Sequence, residues 1–77
     1  MTEGQLNKFK QVIYDPYVEG WELMKKLRDR EPKDESCWKW YDEQTESFKK
    51  KYQSEIGGSM YRVLLDAGSE TGRIVNG

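Results

Sequence analysis

Between Asp34 and Tyr52 the bulky residues return every three or four positions: Trp38, Tyr41, Thr45, Phe48 and Tyr52. At about 100° per residue they fall within one arc of roughly 80°, the pattern of a helix that buries a single face. The segment predicts a helix capped by Asp34 and running to about Ile56, where Gly57-Gly58 breaks it. A chain of 77 residues buries only about 60% of its unfolded surface, so every large side chain counts.

The flanking segments carry the same period. Thr2 followed by Gln5 fits a capping box, and Leu6, Phe9 and Ile13 then recur at helical spacing, with Val12 beside them. This first helix is expected to stop near Tyr14, because a residue preceding proline is pushed out of the helical region. Asp15-Pro16 reads as the start of a second helix, with Tyr17, Trp21, Met24 and Leu27 on its inner face and Pro32 ending it. Gly20 lies inside it, where a close helix approach or a kink would explain it.

The last segment has two readings. "SMYRVLLDAG" fits a short helix capped by Ser59, with Met60, Val63, Leu64 and Ala67 inward and Gly68 as its stop. Alternatively, "YRVLL" pairs with "GRIV" in a hairpin. The expected fold is therefore all-α: a small three-helix bundle with a short fourth helix, or a C-terminal β-hairpin, closing one end. Residues 1–77 are expected to form a single small domain, with 69–77 a flexible tail.

Composition qualifies this. A charged fraction of 35% and a mean hydropathy of −1.03 lean toward disorder. A net charge of only −1, with three tryptophans, five tyrosines and two phenylalanines, points to a folded domain with a core built from rings. The single cysteine excludes an internal disulfide. No apolar run approaches membrane-spanning length, and "MTEGQLNKFK" lacks the apolar region of a secretory signal. A reducing cytoplasm is the expected setting, with no membrane partner. Without staples, so small a core is expected to be completed by self-association as a homodimer or by a partner.

Most chemistries find no residues to carry them. The chain has no histidine, which removes the commonest general base and most zinc sites, and no nucleotide or calcium-loop signature is present. Gly57-Gly58-Ser59 lacks the lysine of a phosphate loop and reads as a turn. Cys37, in the first turn of its helix but beside Asp34 and Glu35 and without an activating base, reads as a small, partly buried filler. Asp42, Glu43 and Glu46 read as a solvated acidic face. No catalytic residue, metal ligand or cofactor is expected, and the chain is not expected to be an enzyme.

Two classes of partner remain. Lys25, Lys26, Arg28 and Arg30 offer cations to nucleic acid. Acids precede bases on the same helix, however, an order the helix dipole explains by itself. The favoured partner is an unidentified protein. In "CWKWYDEQ", residues 37–44, Trp38 and Tyr41 belong to the inner arc, but Trp40 points about 110° from its centre. Either Trp40 packs against a neighbouring segment, or with Gln44 and Lys51 it centres a binding face, tryptophan being enriched at hot spots. Tyr14 and Leu23, at the edges of their apolar faces, are further candidates. The expected function is that of a small adaptor or inhibitor that occupies a partner surface, of the kind phages and mobile elements encode. Nucleic-acid binding is the alternative.

Overall fold

A computed structural model describes all 77 residues. It contains three helices and no strand. The first, α1, is continuous over residues 3–29: an α-helical stretch Glu3–Phe9, a π-helical stretch Lys10–Tyr14 and a second α-helical stretch Asp15–Asp29. Helix α2 spans Glu35–Lys51 and α3 spans Glu55–Asn76. The all-α expectation holds. A separate fourth helix or hairpin does not exist, because the C-terminal segment is one 22-residue helix.

The expected break at Asp15-Pro16 is absent. Thr2 does cap the helix: its hydroxyl accepts the Gln5 N–H at 3.2 Å, and the Gln5 side-chain oxygen accepts the Thr2 N–H at 2.8 Å. The chain then runs helically through the proline, with Asp15 at φ −60° and ψ −39°. In an α-helix the proline ring would press on the Val12 carbonyl and leave it without a donor. Here the preceding turn widens, and the Asp15 N–H donates to the Lys10 carbonyl five residues back, the hydrogen bond of a π turn. Asp15 therefore caps nothing; it faces Lys10 at 3.6 Å. Buried Pro16 and Gly20 hold the helix just beyond the widened turn.

Helix α1 stops at Asp29 through a device not visible in the spacing. The Lys33 ammonium folds back and donates to the Arg28 and Arg30 carbonyls at 3.2 and 2.5 Å, and to Glu31 at 3.0 Å. A cation on the last carbonyls is favoured by the helix dipole. Asp34 caps α2 as expected, accepting the Cys37 N–H at 3.2 Å.

Helix α2 ends at Lys51, short of Ile56, because Ser54 starts α3 by accepting the Gly57 N–H at 3.0 Å. The cap is thus Ser54 and not Ser59. Gly57 lies in the first turn of α3, where a Cβ would strike the Tyr52 carbonyl and come within 2.6 Å of the Tyr52 Cβ. A glycine pair that reads as a break is here what lets α3 begin against the preceding turn. Helix α3 then continues past Gly68 to Asn76, so residues 69–76 are helical rather than a tail.

The chain runs up, down and up, with α3 alongside both other helices. The core is Leu23, Leu27, Cys37, Tyr41, Phe48, Met60 and Leu64, with Trp38, Trp40 and Tyr52 packed at its margin. The inner arc expected for α2 is the observed one, and Cys37 is fully buried. Gly20 is a close-approach site: a Cβ there would lie 2.8 Å from the Met60 Cγ of α3. Tyr41 spans the core and donates its hydroxyl to the Leu64 carbonyl at 2.5 Å.

Candidate functional site

Helix α1 is longer than the bundle that supports it. Glu3–Phe9 approaches neither α2 nor α3, and the molecule measures 49 × 18 × 18 Å. The N-terminal quarter of α1 is therefore an arm, and its apolar residues have nothing to cover them. Phe9 is 46% exposed, Tyr17 54% and Trp21 57%, with Leu6, Tyr14 and Val18 also open.

Phe9 and Trp21 were expected to face the core. Phe9 does not because it lies in the arm, beyond the reach of α2 and α3; Trp21 does not because of the π segment. From Leu6 to Trp21 an uninterrupted α-helix would drift about 60°. The extra residue of the widened turn rotates the second half backward, bringing Pro16, Gly20, Leu23 and Leu27 onto the bundle. Leu6, Phe9, Ile13, Tyr17 and Trp21 then continue as one stripe beside that contact. Only Leu27 of the expected inner quartet is fully buried; Met24 is half-buried.

The residues singled out around Trp40 have other partners. Trp40 is half-buried against the core, its ring 6.2 Å from that of Tyr41 and covered by the Arg30 guanidinium at 4.6 Å. Lys51 reaches across to α1 and binds Glu19 at 2.5 Å. Burial by itself would raise the Glu19 carboxyl, but hydrogen bonds from Lys51 and Tyr52 outweigh it and hold the group below its usual range. Leu23 is 8% exposed and belongs to the core. Gln44 lines a groove of about 360 Å³ between α1 and α2, with Leu23 and Phe48 below and Glu19, Lys26 and Lys51 around it. Tyr14 is exposed on α1. The structure therefore does not assemble Trp40, Gln44 and Lys51 into one open face, and among these candidates Tyr14 alone joins the exposed side of α1.

Three of the four residues of the basic cluster are similarly engaged. Lys25 pairs with Glu22 at 2.9 Å, Arg28 with Asp29 at 2.7 Å, and Arg30 covers Trp40. Lys26 is exposed beside the groove and has no ion pair. The surface pairs contribute little stability, but with three of the four cations engaged the cluster is not the continuous free stripe that nucleic-acid binders present. No group of three or more metal-ligating side chains occurs, and no helix is long and apolar enough to cross a membrane.

What the fold and surface define is a class: a small all-α bundle with a projecting, ring-bearing helical arm. Comparison with known proteins finds no matching family, no similar curated protein and no similar solved structure.

Proposed function

We propose that this chain is a non-catalytic protein-binding module, an adaptor or inhibitor that acts by laying the exposed face of α1 on a protein surface in a reducing cytoplasm. The observation that supports it is Trp21, 57% exposed on a helix whose other open residues include Tyr17, Phe9 and Leu6. Large aromatics left open in a row on a small domain mark an interaction surface, and tryptophan and tyrosine are the residues most enriched at hot spots.

The test is capture from the native host with a tagged chain, comparing wild type with Trp21→Ala and with Trp40→Ala. Trp21→Ala is expected to keep its melting temperature, as exposed changes do, and to weaken the complex by at least about 2 kcal/mol. Trp40→Ala is expected to destabilise the fold instead. Unchanged capture by Trp21→Ala would remove α1 as the binding face. Salt separates the nucleic-acid alternative: phosphate contacts give a steep loss of affinity with salt, an apolar helix face a shallow one.

A further inference from the structure

We propose that the groove between α1 and α2 is a binding site for a carboxylate carried on an apolar stem. It is separate from the exposed stripe on which the protein-binding reading rests. By helical geometry the α1 residues that line the groove point about 150° away from Trp21, so either reading can fail alone.

The charges around the groove cancel except for one. Glu19 is taken up by Lys51 at 2.5 Å, and Glu22 by Lys25 at 2.9 Å. Lys26, exposed at the rim, has no acid of its own. Across the groove, on α2, Gln44 and Ser47 share a helix face, and neither side chain has a hydrogen-bond partner within the chain. The Glu19–Lys51 pair closes one end and separates the groove from a second hollow beside Tyr52. Leu23, Gln44 and Lys51, all expected as partner contacts, thus meet here, with Lys51 as a wall.

The free donors define the ligand. An ammonium, an amide N–H and a hydroxyl can all donate to the two oxygens of a carboxylate, and hydrogen bonds to an ionised group are the strong ones. One unpaired cation balances one negative charge. A phosphate dianion would bring a second charge beside Glu19 and Glu22 and meet no second free cation.

The floor defines the stem. Leu23 and Phe48, 8% and 5% exposed, form the base of about 360 Å³ of open space, a size within the range of small-ligand sites. An apolar group beside the carboxylate covers that floor, whereas a bare anion leaves it wet.

The experiment is a titration of the full chain followed by amide-resolved NMR. Hydrocinnamate is the probe, with its neutral amide and phenyl phosphate as comparisons. The probe is expected to shift residues 19–26 and 44–51 saturably, with a dissociation constant of millimolar order for so small a ligand. The amide and phenyl phosphate are expected to bind at least about fivefold more weakly. Lys26→Gln is expected to lose the same factor for the acid and nothing for the amide. Its melting temperature should be retained, because Lys26 is exposed and unpaired. Trp21→Ala is expected to bind the probe as wild type does.

Equal affinity for acid and amide, undiminished binding by Lys26→Gln, or no saturable shift at tens of millimolar probe overturns the proposal. A glutamate side chain of a protein and a free small acid offer the same group. Tighter binding of the acetylated, amidated dipeptide Phe-Glu than of hydrocinnamate supports the site and assigns it to a protein chain. The reverse order supports the site and assigns it to a small acid.

Discussion

Replacing Gly57 and its neighbour Gly58 separately by alanine tests how α3 begins. Both glycines lie in the first two turns of a helix, where alanine is favoured over glycine by about 1 kcal/mol. By propensity alone both changes should stabilise. Around Gly58 nothing lies within 4 Å of the added Cβ, so Gly58→Ala is expected to gain about 0.5–1 kcal/mol. At Gly57 the methyl would meet the backbone carbonyl and the Cβ of Tyr52, atoms of the turn itself that cannot rotate away. Forcing a methyl into filled space costs about 1–3 kcal/mol. The first-turn hydrogen bond from the Gly57 N–H to Ser54 would be pulled with it. Net destabilisation of about 1–2 kcal/mol is expected for Gly57→Ala, so the two variants differ by about 1.5–3 kcal/mol. At about 4–8 °C per kcal/mol for a domain of this size, their melting temperatures should fall at least about 6 °C apart, on opposite sides of the parent. Thermal and urea unfolding followed by circular dichroism would show it. If both variants melt above the parent by similar amounts, the close approach of Tyr52 to α3 is wrong, and with it the reason α3 starts where it does.

Burial pushes the Tyr41 phenol up to about 12, above the unfolded value of about 10. The unfolded chain therefore loses this proton first, and stability is expected to be intact below about pH 10 and to fall as pH rises toward about 12. Tyr41→Phe should flatten that alkaline decline and cost about 1 kcal/mol at neutral pH through the lost bond to the Leu64 carbonyl. Unchanged alkaline unfolding in Tyr41→Phe would refute the assignment. Lys33→Ala should lose about 1 kcal/mol by uncovering the last carbonyls of α1, with amide exchange quickening at residues 27–30. Asp15→Ala should change stability by no more than about 0.5 kcal/mol, because Asp15 lies inside the helix and caps nothing.

The sequence by itself determined the helical class, the caps at Thr2 and Asp34, and the buried arc Tyr41, Thr45 and Phe48. Each depends on residues within a turn or two of one another, and a period of 3.6 survives whatever the rest of the chain does. It also determined which chemistries lack residues, since a missing histidine is missing in any fold. Tertiary structure decided the rest. Whether Asp15-Pro16 breaks a helix or widens a turn depends on what packs beyond it, and burial of Pro16 and Gly20 holds the chain helical. That widened turn rotates one half of α1 against the other, so Trp21, inward by uninterrupted counting, emerges at the surface while Leu23 goes to the core. Gly57-Gly58 reads as a break because glycine is a poor helix former; only the position of the Tyr52 carbonyl shows that one of the pair is there for space. Trp40 was placed by its angle on α2, but its cover, the Arg30 guanidinium, comes from the far side of a loop. The arm itself could not be read locally, because exposure belongs to a residue's neighbours in space, and Leu6 and Phe9 look like core until a bundle too short to reach them is built.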